Sequence, residues 1–258
     1  MPQGNRPWIR EEFILVLNLY YKLPFGRLNR TTKEVKDLAK LLNRSDNSIA
    51  LRLVNFAACD PYIRETGRHG MMSGMKQCQP YWEEFANDRE KLLFESERIL
   101  ASMQGTTVEK KFNICQEDLV DYVGEDKIRE VATRVNQSVF RGKVLSNYEY
   151  KCAITGIDIQ PLLVASHIIP WSVNKEERLN PSNGICLSAL YDSAFDKGLI
   201  GFDKDYRVVI SSKLNENHNK PYYERYFGSI EGVQLSLPDE FKPDLHFLEW
   251  HMDEVFLR

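Results

Sequence analysis

The stretch PLLVASHIIPW, residues 161–171, carries a histidine at the end of an apolar run. The turn signal TGID at residues 155–158 separates it from a shorter strand-like run, YKCAI, at residues 150–154. Together the two runs predict a β-hairpin with His167 near the end of its second strand. For a lone histidine in such a place the alternative is a core residue that bonds a backbone carbonyl, and this stretch alone leaves both interpretations open.

A polar loop and a helix are predicted after the hairpin. The loop, SVNKEERLNPSNG at residues 172–184, contains Asn183, and the next run predicts a helix over residues 186–197. Asp192 and Asp196 are four positions apart, so they lie on one face of that helix. The chain order is therefore strand, strand with a histidine, loop with an asparagine, and helix with two carboxylates.

This order of motifs resembles an HNH nuclease of the restriction-endonuclease type, which has the ββα-metal fold. The motifs that carry the resemblance are VNQSVFRGKVL, CAITG, SHIIPW, NPSNGICL and AFDKG, in that order. They cover about residues 137–202. The segments WIREEFILVLNLYYKLPFG and NSIALRLVNFAACDP resemble the helical leader domain that often accompanies this subtype, and FLEWHMDEVF resembles its usual ending.

The resemblance implies roles for individual residues. His167 matches the general base that takes a proton from water, which suits an imidazole because its pKa lies near neutrality. Asn183 matches the asparagine that fixes the loop or orients the histidine. Asp192, nine residues further on, matches a ligand of a divalent cation, and a carboxylate there favours Mg²⁺ or Mn²⁺.

Two features depart from the family pattern. Many relatives have a metal-binding aspartate where this chain has Ser166, whose hydroxyl is a weaker ligand. Asp196 either supplies the missing carboxylate or caps a turn near the helix end. The paired cysteines that hold structural zinc in some relatives are absent, and only Cys152 and Cys186 lie nearby. We therefore expect no structural zinc.

A basic helix over residues 126–145 directly precedes the hairpin. Arg134, Arg141 and Lys143 on this helix are candidates for binding the phosphate backbone of DNA. The alternatives are a solvated basic face and, for Arg141, a buried side chain that bonds loop carbonyls.

The N-terminal region predicts helices over residues 8–23, 31–44 and 47–60, and the last two resemble a helix-turn-helix. Residues 1–60 hold ten basic and six acidic side chains, a net charge of +4. Three residues near the turn are candidates for DNA contact: Arg44, Ser48 and Arg52. The alternative is a plain three-helix bundle with a solvated face.

Further along, a loop is predicted over residues 62–80 and a helix over 81–101. The segment that follows the helix is typical of a linker. We therefore predict an α+β protein with a helical N-terminal domain over residues 1–104 and a nuclease domain over residues 105–258. The second domain would include the basic leading helix and a C-terminal extension.

Composition sets limits on the partners. The 258 residues are 43% hydrophobic and 28% charged, with a net charge of −3. Any nucleic acid would therefore have to bind to local positively charged patches on the surface. No run approaches the roughly 18 apolar residues of a membrane span, and the N-terminus does not read as a signal peptide. Five cysteines without a CxxC pair favour a reducing cytoplasm.

The leading interpretation is a metal-dependent endonuclease that cuts DNA in restriction or defence, with a requirement for modified cytosine left open. A homodimer is expected because a double-strand break needs two nuclease sites. The alternative is a non-catalytic DNA-binding protein that keeps the fold but has lost its metal, which Ser166 motivates.

Overall fold

A computed structural model describes residues 6–115 and 117–258, except for the side chain of Asp118. The structure is largely helical and contains two small antiparallel sheets, which confirms the α+β class. Two compact units divide between Asn136 and Gln137. This division falls inside one long helix, whereas the sequence places a domain boundary at residues 104–105, so the predicted division into functional domains stays a prediction.

The first unit is built from helices around an aromatic-rich core. Its helices are α1 (Arg10–Lys22), α2 (Lys33–Leu41), α3 (Asp46–Cys59), α4 (Pro61–Glu65), α5 (Met75–Phe85), α6 (Arg89–Met103) and α7 (Val108–Lys111). The three helices predicted over residues 8–60 are thus present. A four-residue link joins α2 to α3, and Ser45 caps α3 by accepting a hydrogen bond from the Ser48 amide at 3.2 Å.

Two predictions in this unit are wrong in detail. The predicted loop at residues 62–80 contains α4 and the start of α5, because Asp60 accepts a bond from the Tyr62 amide and Pro61 suits a first helical turn. The single helix predicted over residues 81–101 is two helices. The chain breaks after α5, and Asp88 caps α6.

Helix α8 (Gly124–Asn147) contains the predicted basic helix and runs through the division between the units. The second unit continues with β1 (Leu163–His167), β2 (Gly184–Ser188), α9 (Ala189–Asp196), β3 (Ile200–Phe202), β4 (Val208–Ile210), α10 (Ser212–Asn215), α11 (Pro221–Tyr226) and α12 (Leu245–Glu254). Helix α9 contacts β1, β2 and β3.

The hairpin prediction is right about β1 but wrong about its partner. β1 pairs antiparallel with β2, whose run GICLS the sequence assigns partly to the helix. The run YKCAI forms no strand because Tyr150 has a left-handed backbone, φ 58°, and the chain turns again after Cys152. One backbone bond, from the Ala153 amide to the Cys186 carbonyl at 2.8 Å, is what remains of the expected pairing.

None of the helices in the described part of the chain is long and apolar enough to cross a membrane.

Candidate active site

The register of the β1–β2 pair determines where the candidate residues lie. His167 is opposite Gly184, and Ser166 is opposite Ile185. His167 therefore ends β1, Asn183 immediately precedes β2, and the intervening loop joins them. Because successive strand residues point to opposite faces, Ser166 and His167 face different sides of the pair.

Asn183 clamps the two ends of this loop together. Its side chain is 0% exposed, and its Oδ1 accepts a hydrogen bond from the Ile169 amide at 2.8 Å. Its Nδ2 donates to the carbonyls of Ile169 at 3.1 Å and of Glu177 at 3.2 Å. A buried amide whose oxygen and nitrogen are both bonded holds one loop conformation. The geometry agrees with the first of the two roles that the sequence left open, fixing the loop.

His167 is half-buried at the end of β1. Its Nε2 lies 3.0 Å from the Arg178 carbonyl oxygen, which only accepts hydrogen bonds, so we assign the proton to Nε2 in the neutral ring. This leaves Nδ1 with a lone pair, and within the described residues Nδ1 forms no hydrogen bond. The bond to a backbone carbonyl is the one expected of a core histidine, but the ring keeps an unengaged nitrogen and is not enclosed.

Two aromatic rings surround the imidazole. Phe140 of α8 stacks on it with ring centres 3.8 Å apart and planes 14° from parallel. Trp171 meets it edge-on at 5.4 Å and 87°. The Arg178 Nε in turn donates to the Trp171 carbonyl at 2.6 Å, which ties the loop to the strand exit.

Burial lowers the pKa of His167 below its usual 6.5, and the Arg178 charge lowers it further, while the bond to the Arg178 carbonyl acts in the opposite direction. A lowered pKa favours the neutral form of the imidazole, and a neutral ring with its proton on Nε2 can accept a second proton at Nδ1.

A second group of oxygen atoms lies around α9. Burial raises the pKa of the half-buried Asp192, and the Ser166 side chain and Lys197 partly oppose this. Desolvation and the Asp192 charge both raise the pKa of Asp196, so the two carboxylates are close enough to repel each other. Ser166 is 2% exposed, and its Oγ forms no hydrogen bond of normal geometry.

This donor set suits a hard divalent cation. The described residues contain no cluster of three or more His, Cys, Asp or Glu side chains placed to hold a metal. Mg²⁺ is nevertheless commonly bound by one or two carboxylates plus waters and substrate phosphates. The two mutually repelling carboxylates and the buried hydroxyl of Ser166, which acts on Asp192, fit such a cation.

The structure thus assembles the predicted site residues into two groups. His167 at the end of β1 and Asn183 just before β2 lie at the two ends of the loop, and Ser166, Asp192 and Asp196 lie around α9. Ser166 and His167 are adjacent in β1 and link the two groups along the backbone, although their side chains face different sides of the strand pair.

On the basic helix, Arg141 and Lys143 are exposed, so Arg141 is not the buried arginine of the alternative interpretation. Lys143 Nζ lies 4.5 Å from the centre of the Phe241 ring. Arg134 pairs with Glu130 at 2.8 Å, one turn away on the same helix.

The structure corrects the picture of Arg44 and Arg52 as groove-facing residues. Both are buried, and both guanidinium groups lie against the Trp8 ring, at 4.1 and 4.7 Å from its centre. Arg44 also forms an ion pair with buried Glu12 at 2.7 Å. A DNA contact needs solvent access that these two side chains lack. Ser48 is half-buried and follows the helix turn as predicted.

Sequence reasoning missed two of the contacts of His167. In the sequence, Phe140 is indistinguishable from the other apolar residues of an amphipathic helix. Arg178 sits in a polar loop, where no periodicity marks it. Their roles follow only from the fold that brings both to the end of β1.

Residues 152–203 match the family model described as HNH endonuclease. A search of curated proteins found no match. The matched segment contains β1, the Asn183 loop, β2 and α9, which form the ββα unit described above. The likeness to the HNH endonuclease family is thus shown for residues 152–203 of this chain.

Proposed function

We propose that the protein is a metal-dependent endonuclease that hydrolyses DNA phosphodiester bonds with His167 as general base. The observation that carries the proposal is the state of His167. Its Nε2 is held by the Arg178 carbonyl, and its Nδ1 forms no hydrogen bond with any residue that the structure describes. A general base needs a lone pair near neutral pH and a fixed orientation, and His167 has both.

In the proposed reaction, Nδ1 of His167 takes the proton from the attacking water. The imidazolium that forms is stabilised through its Nε2–H bond to the Arg178 carbonyl. Asn183 helps to keep that carbonyl in place because it bonds Ile169 at the start of the loop and the carbonyl of Glu177, the residue before Arg178. General-base assistance of this kind contributes about 10²- to 10⁴-fold in rate.

Asp192 would hold the divalent cation, with Ser166 and Asp196 completing the protein ligands. Mg²⁺ or Mn²⁺ suits these oxygen donors. When bound, such an ion stabilises negative charge on the phosphate and on the departing oxygen.

Arg141 and Lys143, which are exposed on α8, would bind the DNA backbone, with Arg134 as a further contact. Phosphate contacts supply affinity without sequence specificity, and a chain of net charge −3 needs such a local patch.

The biological role that we propose is restriction of, or defence against, foreign DNA in the cytoplasm. The support is the resemblance of the motifs to restriction-type relatives. A homodimer would supply two sites for a double-strand break. Ser48 and the helix turn remain candidates for DNA contact in the first unit.

A second candidate function is a DNA-binding protein without catalytic activity. The observation that favours it is the small donor set, with serine at position 166 and no cluster of three metal-binding side chains among the residues described.

One experiment separates the two candidates. Supercoiled plasmid DNA, unmodified or carrying 5-methylcytosine or 5-hydroxymethylcytosine, is incubated with Mg²⁺ or Mn²⁺ and either wild-type protein or His167→Ala. Nicked or linear DNA from the wild type alone supports the nuclease. Binding without cleavage of any of the plasmids by the wild type would favour the second candidate. Equal cleavage by both proteins would remove His167 from the mechanism.

A further inference from the structure

Gly184 lies directly across the strand pair from His167. Its backbone, at φ −135° and ψ 142°, is ordinary extended chain that any residue adopts. Backbone conformation therefore does not require glycine at this position.

The side chains packed around position 184 do require glycine there. A Cβ on Gly184 would lie 2.8 Å from Cζ of Phe140 and 2.5 Å from Cγ2 of Val144. Opposite residues of an antiparallel pair project from the same face, so the missing side chain leaves room beside His167. Phe140 fills that room and lies flat on the imidazole.

We propose that Phe140 is a positioning residue for the catalytic base, and that Gly184 is glycine to admit it. The proposal rests on the proposed role of His167. Phe140 fixes the plane of the ring, Trp171 limits its tilt, and the Arg178 carbonyl holds Nε2. With these three constraints, rotation within its pocket is restricted and Nδ1 keeps one direction.

The test compares two variants that disturb the same patch of α8. Phe140→Leu keeps an apolar side chain but removes the flat face on His167. Val144→Ala, one turn further along, also changes a buried side chain against Gly184, but Val144 forms no ring contact with His167. Each variant is measured for thermal stability, for plasmid binding, and for the cleavage rate of plasmid DNA with Mg²⁺ or Mn²⁺ under single-turnover conditions at saturating protein.

We expect Phe140→Leu to lower the single-turnover rate by about 10- to 100-fold, because small misplacements of a reacting group are costly. DNA affinity should stay within about threefold, and Val144→Ala should keep a rate near that of the wild type. The proposal is overturned if Phe140→Leu cuts within twofold of the wild type. It is equally overturned if both variants lose rate in proportion to their loss of stability.

A spectroscopic measurement covers the case in which Phe140→Leu folds poorly. Protons of an imidazole stacked on a phenyl face are shielded by its ring current. Two of the five histidines stack on phenylalanines, His167 on Phe140 and His251 on Phe195. The histidine rings of the wild type and of His167→Ala are isotope-labelled, and the resonance missing from the variant spectrum is that of His167. In the wild type this resonance must be shifted upfield. In the folded fraction of Phe140→Leu, the His167 resonance should move, and the His251 resonance should stay unchanged.

An unshifted His167 resonance in the wild type would refute the stacking itself. Failure of the proposed function has a different outcome: wild type and His167→Ala would cleave equally. If the wild type cuts, His167→Ala does not, and Phe140→Leu cuts normally, only the positioning role fails.

Discussion

The Arg178 carbonyl oxygen lies 3.0 Å from Nε2 of His167, so a loop residue eleven positions away sets which imidazole nitrogen keeps its lone pair. The side chain of the same arginine donates to the Trp171 carbonyl. The loop therefore serves as a support for the histidine as well as a connection between β1 and β2.

Replacement of His167 by alanine should abolish most of the DNA cleavage. We expect the rate on plasmid DNA to fall by about 10²- to 10⁴-fold, because general-base assistance is lost. DNA binding, measured by gel shift without a divalent cation, should change little. Loss of binding in parallel with cleavage would show that His167 holds the DNA or the fold, and that it is not the base.

Asn183→Asp should destabilise the protein and reduce cleavage. The amide donates to two carbonyls, and a carboxylate in its place would face both of them without a proton to donate. The expected loss is about 3 kcal/mol or more in the free energy of unfolding, measured by urea denaturation.

Asn174 provides a matched control in the same loop. Its Oδ1 accepts hydrogen bonds from the Glu176 and Glu177 amides, a role that a carboxylate also fills. Asn174→Asp should therefore stay within about 0.5 kcal/mol of the wild type. Similar losses in the two variants would contradict the clamp assigned to Asn183.

Local patterns in the sequence place His167 in a strand, Asn183 in a loop and Asp192 in a helix, and the structure has them near the same strand pair. Their roles come from the family resemblance and stay predictions. The pairing of β1 was mispredicted. The run GICLS is apolar and short, and such a run reads equally well as a buried strand or as the start of a helix. The run YKCAI is excluded from the strand pair by the left-handed backbone of Tyr150, which a tyrosine in the sequence does not predict.

Long-range contacts account for the other failures. Arg44 reads as a surface cation, but its partner Glu12 is 32 positions away, and only the packed helices bring them together. The stacking of Phe140 on His167 likewise depends on how α8 meets the strand pair. Local periodicity cannot report such contacts.

Asp192→Asn should reduce both metal binding and cleavage. The variant loses the half-buried carboxylate that we propose as the main ligand, so the apparent affinity for Mn²⁺ should fall by more than the roughly 10- to 100-fold cost of losing an outer partner. Titration calorimetry with Mn²⁺ measures this directly, and EDTA should stop cleavage by the wild type.

Asp196→Asn is the comparison for the second carboxylate. Asp196 is exposed, and its loss also removes a repulsive charge from Asp192. We expect a smaller effect than for Asp192→Asn. Stronger impairment by Asp196→Asn would reverse the assignment of the main ligand.

Glu12→Gln should be one of the most destabilising single changes in the first unit. Glu12 is 1% exposed and accepts bonds from Arg44 at 2.9 and 2.7 Å and from Arg6. Burial acts to raise its pKa, but the bonds from Arg44, the Ile9 amide and Arg6 lower it overall. The variant leaves Arg44 buried without its anion, at a cost of about 3–5 kcal/mol.

Glu34→Gln is the matched change at an exposed ion pair, in which Glu34 contacts Arg27 at 2.9 Å. Its expected cost is at most about 1 kcal/mol. Chemical denaturation of both variants tests the contrast, and equal costs would mean that the Glu12 pair contributes no more than a surface pair.

His251 should make the stability of the protein fall as the pH drops below neutrality. The ring is 2% exposed, stacks on Phe195 at 3.7 Å, and bonds the Phe195 carbonyl through Nε2 at 3.0 Å. Burial lowers its pKa from 6.5 to about 4, against the opposing effect of that carbonyl. Between these values the unfolded chain binds a proton that the folded protein does not, so stability is lost from pH 6.5 down to about 4, by about 3 kcal/mol in total.

Urea denaturation of wild type and His251→Gln at pH 7, 6 and 5 isolates this contribution, because all other titrating groups are common to both proteins. The difference in unfolding free energy between them should shrink as the pH falls, since only the wild type loses the His251 contribution. His246→Gln, at an exposed histidine of the same helix, is the control for replacing a histidine in α12. A parallel curve for His251→Gln would mean that the buried ring accepts its proton as readily as it does in the unfolded chain.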